Sequence, residues 1–246
     1  MKNTLKALPM LGVIMLACAA PTPPPSPVDE IVDAHIAARG GLEAIQALQS
    51  IRATGIATAS GGRVARVTQE IKRPGLYRLE FDSQGTTAVF AHDGETGWQV
   101  APRQGIFEPQ PVTPENDSEA GIDERDIEGP LVNWRDKGHT VELVGREMLA
   151  GGEADKLEIT LADGRVRYDY VDATSHQLVR SDKTETIAGR ELVMEETYSD
   201  FREVGGLIFP HHIETHVTNR PETITITVET VEVNPEIDDE RFRFPG

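Results

Sequence analysis

Two hydrophobic periods divide this chain. From Val28 to Leu48, Ile31, Ile36, Leu42, Ile45 and Leu48 recur at helical spacing, and Asp29 and Glu30 sit where the helix dipole favours acids. Gly40-Gly41 breaks this stretch into two helices. After Ser50 the period drops to two, and short alternating runs predict strands near Ile51–Ala59, Val64–Lys72, Leu76–Phe81, Thr87–His92 and Trp98–Ala101. Asp93-Gly94 is a hairpin signal between two of them. An acidic, proline-containing loop is expected from Glu108 to Gly121, followed by a helix carrying Ile127, Leu131, Val132 and Trp134, with Pro130 interrupting it or starting its latter part.

Alternation resumes at Val141–Met148, Lys156–Leu161, Val166–Val171, Leu178–Thr184, Glu191–Phe201, Pro210–Val217 and Thr223–Val233, with a second hairpin signal at Asp163-Gly164. In the last run Ile224, Ile226 and Val228 share one face, whereas Val231 and Val233 have the opposite parity; a β-bulge near Glu229–Thr230 accounts for the change. The expected fold is mainly β, a single strongly curved antiparallel sheet of about eleven or twelve strands with helical segments covering one face. Only 5% of the residues are aromatic, so a hollow interior and a packed core both remain open.

The first residues follow a different logic. Lys2 and Lys6 precede an apolar run from Leu8 to Leu16, and small residues follow at Ala17, Cys18, Ala19 and Ala20, the layout of a secretory signal peptide. Residues 1–19 are assigned to it, with cleavage either before Cys18, as in a lipobox, or after Ala19. Residues 20–27 form a proline-rich tether, and residues 28–246 one β domain. Cys18 is the only cysteine, which excludes an internal disulfide and makes it the candidate lipidation site, with a membrane anchor as the consequence. A formal net charge of -17 argues against nucleic acid as a partner and against general adhesion to anionic lipid headgroups.

Candidate chemistry concentrates in GGLIFPHHIETH, where His211, His212, Glu214 and His216 crowd together. On a strand, His211, Ile213, Thr215 and Val217 share one face, and His212, Glu214 and His216 the other. His212 and His216 would then have backbones roughly 13–14 Å apart, too far for two imidazoles to share one zinc without a distant ligand. No Gly-x-Ser-x-Gly elbow, phosphate-binding glycine loop or cysteine nucleophile beyond the leader occurs. Neither a catalytic residue, a metal site nor a cofactor is expected.

Three stretches carry a family resemblance: Lys72-Arg73-Pro74-Gly75-Leu76-Tyr77-Arg78-Leu79, Asp93-Gly94-Glu95-Thr96-Gly97-Trp98, and Glu240-Arg241-Phe242-Arg243-Phe244-Pro245. In order and separation they resemble the LolA/LolB-like family of periplasmic lipoprotein-sorting and lipid-binding proteins. His35 to Glu43 looks like the opening helix of a looser bacterial branch of it. The resemblance implies a half-open barrel closed by helices, an apolar cavity for acyl chains, and no catalysis. It gives Arg73 a role in gating or engaging cargo at the cavity rim. Candidate cavity residues are Arg73, Tyr77, Leu79, Phe81, Phe90, Trp98, Trp134, Ile224 and Ile226. The function this implies is a cell-envelope binder of lipid or acylated protein, facing the periplasm. The alternatives are an envelope sensor or protein-interaction module on the same fold and, further off, a metal-dependent enzyme using His212 and Glu214.

Overall fold

The computed structural model describes residues 26–112, 125–187, 190–218 and 223–245. Helix α1 (Pro27–Ala38) begins with a capping box: Ser26 Oγ accepts from the Asp29 amide at 3.2 Å, and the Asp29 carboxylate accepts from the Ser26 amide and hydroxyl. The helix therefore takes in Pro27, the last residue assigned to the tether, at its first turn, where proline's missing N–H is harmless. Gly40 and Gly41, at φ +121° and +91°, turn the chain into the short helix α2 (Leu42–Gln46).

Six strands then run as a meander: β1 (Ser50–Ala59), β2 (Val64–Lys72), β3 (Leu76–Ser83), β4 (Thr86–Asp93), β5 (Gly97–Ala101) and β6 (Ile106–Pro111). Seven more follow: β7 (Thr140–Leu149), β8 (Gly152–Thr160), β9 (Val166–Asp172), β10 (Leu178–Ile187), β11 (Arg190–Val204), β12 (Leu207–Val217) and β13 (Thr223–Val233). All thirteen form one antiparallel sheet in the order β6-β5-β4-β3-β2-β1-β13-β12-β11-β10-β9-β8-β7. The two meanders join where β1 pairs with β13, and β6 and β7 are the open edges. One long link, between Pro111 and Thr140, carries the chain from one edge to the other.

Thirteen strands exceed the expected number because β6 occupies the start of the stretch read as a loop from Glu108. Pro109 and Pro111 are tolerated there because β6 is an edge strand. The remainder of that loop, from 113, lies outside the described residues, as do Cys18, the leader and most of the tether. The helix expected at Ile127–Trp134 is also corrected: the segment is a series of turns. Gly129 at φ +81° and Asn133 at φ +53° flank Pro130, and positive φ is incompatible with a right-handed helix. The bulge in β13 is present. Thr54 pairs with Thr230 and Gly55 with Val228, leaving Glu229 as the extra residue and returning Val231 and Val233 to the inner face.

One end of the inner face is packed. Val32 on α1 and Leu131 in the turn segment meet Val141, Leu157, Ile159 and Val171. Beside them Ile45 and Leu48 pack with Ile71, Tyr77, Ile127, Val132 and Leu207. On the outer face the C-terminal segment lies across the sheet: Ile237 and the fully buried Phe242 pack on Leu76. The fit of the helical cover depends on Gly40, where an added Cβ would lie 2.3 Å from the Gly206 carbonyl oxygen and 3.1 Å from the Leu207 side chain. Gly40→Ala should therefore cost about 2–4 kcal/mol in urea unfolding. Gly61→Ala, with nothing within 4 Å of the new methyl, should stay within about 0.5 kcal/mol.

Candidate functional site

At the end of the sheet away from the helices, the inner face forms a partly open apolar cavity of about 380 Å³. Its walls follow from strand pairing. Ala57 faces Ala65 across β1–β2 and Ala59 faces Ile224 across β1–β13, while Phe81 faces Ala88 across β3–β4. Phe90 and Ala101 continue the wall toward β5. Alanine is depleted in strands because it packs poorly on a pleated surface. Here Ala57, Ala59, Ala65, Ala88 and Ala101 leave unfilled the volume that a Leu or Ile on the same face would occupy. Val64, Pro102, Ser83, Thr86, Gln104 and the exposed Arg63 and Arg103 form the rest of the lining.

The other half of the inner face, on β9 to β12, is polar. Arg167 donates to Asp169 through Nε at 3.0 Å and Nη2 at 2.8 Å, and to Ser181 Oγ at 2.6 Å; Ser181 in turn donates to Asp169. Lys183 lies 3.4 Å from Glu196, which accepts from the Tyr198 hydroxyl at 2.8 Å. Arg167, Asp169, Ser181 and Lys183 are all buried. Burial raises the Tyr198 hydroxyl well above its ordinary range, so it stays a neutral donor. Asp169 Oδ2 is a buried oxygen without a hydrogen-bond partner, although its other oxygen is shared by Arg167 and Ser181. The open cavity lies instead on the β1–β5 half, with Ile224 of β13.

The sequence-derived candidates are distributed over three places. Phe81, Phe90 and Ile224 line the cavity. Ile226 lies on the same face, opposite Ala57 and Ile213. Tyr77 and Leu79 belong to the packed end under α2, and Trp134 packs beside α1 with the Arg135 guanidinium 3.8 Å from its ring centre. Trp98 is on the outer face instead: it pairs with Ala91, clusters with Val89, and donates from Nε1 to the Phe242 carbonyl at 2.7 Å. Parity decides this, because Gln99 and Ala101, not Trp98, fall on the inner side of β5.

Arg73 is at the packed end, past the last residue of β2. It is roughly 30 Å along that strand from Val64 at the cavity. Its Nε donates to the Leu48 carbonyl at 2.6 Å, just beyond α2, and its Nη2 to Glu128 Oε1 at 2.8 Å. The preceding Lys72 points the other way and binds the Ile237 carbonyl at 2.7 Å and Asp239 at 2.5 Å. Adjacent residues thus tie the helical cover to one face and the C-terminal segment to the other. His211 is buried on the inner face, with His212, Glu214 and His216 on the opposite side of β12. Among the described residues no group of three or more His, Cys, Asp or Glu could hold a metal ion.

Sequence reasoning missed the alanine stripe and the two rim arginines. The signal was present: alanine at alternate positions of β1, and again in β2, β4 and β5, is unusual for strand interiors.

No protein-family model and no curated protein matches the sequence. Solved structures do match the fold. A DUF1329 family protein from Desulfovibrio piger aligns with a TM-score of 0.60 at 15% identity, over 89% of this chain and 98% of its own. A LolA superfamily protein from Nitrosomonas europaea aligns at 0.57 and 13% identity, over 88% and 97%. A Vibrio parahaemolyticus domain described as an outer membrane lipoprotein-sorting protein aligns at 0.55 and 14%, over 87% and 94%. The chain therefore has a LolA-like fold: one large, unclosed antiparallel sheet whose inner face is partly covered by helices.

The helical cover also carries a pH-sensitive group. His35 of α1 is buried, its Nδ1 lies 2.9 Å from the His176 carbonyl, and desolvation, with Arg39 nearby, lowers its pKa from 6.5 to about 4. The unfolded chain therefore takes up this proton first, so the stabilisation is complete above pH 6.5 and is lost between there and about pH 4. The loss should reach at most about 3 kcal/mol. Asp29, lowered to about 2 from 3.8 mainly by its hydrogen bond with Arg135, is lost in a separate window below pH 3.8. In His35→Gln, whose amide can still donate to the carbonyl, urea unfolding should show a flattened slope between pH 6.5 and 4 and an unchanged slope below.

Proposed function

We propose that the protein is a cell-envelope lipid-binding protein that holds an acyl chain, free or attached to a lipoprotein, in the cavity between β1–β5 and Ile224. The observation that carries this reading is the cavity itself, a partly open, mainly apolar volume of about 380 Å³ within the inner face of a LolA-like half-barrel. Ligand sites of roughly 300–1,000 Å³ with apolar walls and a few polar groups fit small ligands. Each methylene moved from water into such a site contributes about 0.8 kcal/mol. The envelope location rests on the leader-like residues 1–19 and on Cys18 as a lipid anchor. The role is binding and transfer, with acylated proteins as carrier partners, and no reaction is assigned to it. Arg73 acts at a distance from the chain, as a positioning residue that holds the end of α2.

Native mass spectrometry of protein gently purified from a bacterial envelope should show a bound lipid mass that detergent removes. Ala88→Trp, which fills the cavity from its wall, should abolish that adduct and lower uptake of a fluorescent fatty acid at least tenfold while the protein still unfolds cooperatively. A partner protein without lipid would favour the sensor reading, and a stoichiometric metal the enzyme. Arg73→Leu should accelerate lipid exchange several-fold by releasing α2; exchange at the wild-type rate would limit Arg73 to a role in stability.

A further inference from the structure

The chain has 41 acidic and 24 basic residues, so cations are scarce and readily neutralised. Arg52 and Arg241 share Glu70, Lys72 meets Asp239, Lys137 meets Asp126, and Arg180 meets Asp182. Among the described side chains, Arg63 and Arg103 are the two basic groups with neither a hydrogen bond nor an ion pair. Both line the same cavity. Their backbones are fixed: the Arg63 carbonyl accepts from Ala59 across the β1–β2 turn at 2.9 Å, and Arg103 sits in the 3₁₀ turn Pro102–Gln104 directly after β5. Thr86 and Gln104 add polar groups to the lining.

A guanidinium has five donors in a planar fork suited to phosphate or carboxylate, and its charge persists at any relevant pH. The distributed charge of -17 opposes an anionic ligand at long range. At physiological ionic strength that repulsion is screened beyond about 8 Å, and the lining itself holds two arginines and no carboxylate. An apolar interior with a cationic rim is complementary to an amphiphile carrying a negative head. From this we infer that the cavity selects an anionic lipid, one acyl chain running in between Phe81, Phe90 and Ile224 and the phosphate or carboxylate headgroup held by Arg63 and Arg103. The inference rests on the lipid-binding reading and adds to it the headgroup charge and its location.

The test uses three probes in isothermal titration calorimetry: a lysophosphatidic acid, a monoacylglycerol of the same chain length, and glycerol 3-phosphate. The wild-type protein should bind the anionic lipid at least about tenfold more tightly than the neutral one, and added salt should erode that difference. The double variant Arg63→Gln/Arg103→Gln should lose the preference while keeping its affinity for monoacylglycerol and its melting temperature. Equal binding of both lipids by wild type, unchanged in the variant, overturns the headgroup assignment and leaves lipid binding standing. Binding of neither lipid removes both. Glycerol 3-phosphate binding as tightly as the lipid overturns the inference in favour of a free-anion site.

Discussion

An unclosed sheet of thirteen strands has a larger inner face than two short helices can cover, and the organisation of this molecule follows from that mismatch. Apolar surface left in water weakens a fold by about 25 cal/mol per Å², so each part of the inner face needs its own solution. At one end the solution is cover, by α1, α2 and the turns between 125 and 139. On β9–β12 it is a buried polar network that satisfies its own charges, apart from one oxygen of Asp169. At the remaining end the side chains shrink to alanine, and the space stays open.

The three motifs behind the family resemblance serve the framework rather than the cavity. Lys72 and Arg73 fasten opposite faces. Asp93 closes its hairpin by accepting from the amides of Glu95 and Thr96. Arg241 binds Glu70, a carboxylate buried on the outer side of β2, while Phe242 fills the space beside Leu76. An isolated surface ion pair is worth little. A buried carboxylate held by both Arg52 and Arg241 is different, since losing either partner leaves charge stranded.

Much of the fold was legible because strand alternation and Asp-Gly turns are local signals. Twelve runs read from alternation correspond to twelve of the strands, and the parity change in β13 located the bulge. The segment around Ile127, Leu131 and Val132 misled because its apolar spacing imitates a helix. Burial against α1 and α2 explains that spacing equally well, with Gly129 and Asn133 breaking the backbone. The edge strand β6 was masked by Pro109 and Pro111, which are acceptable because no strand among the described residues pairs on its far side. Of the proposed site, Phe81, Phe90 and Ile224 were found by size and hydrophobicity. The alanines give little signal because a cavity is written in what is absent, and the size of Trp98 suggests an interior place that its parity on β5 forbids.

The outer-face position of Trp98 has a practical side. The chain has two tryptophans, and they stand on opposite faces of the sheet. Trp98 backs the cavity-bearing strands, clamped by the Phe242 carbonyl and an edge contact with Phe244, whereas Trp134 lies under Arg135 beside the helical cover. Their intrinsic emission therefore supplies two native optical channels, separable by replacing one indole at a time with phenylalanine. Loosening of the helical cover and of the C-terminal segment on the outer face can be followed independently, without any dye.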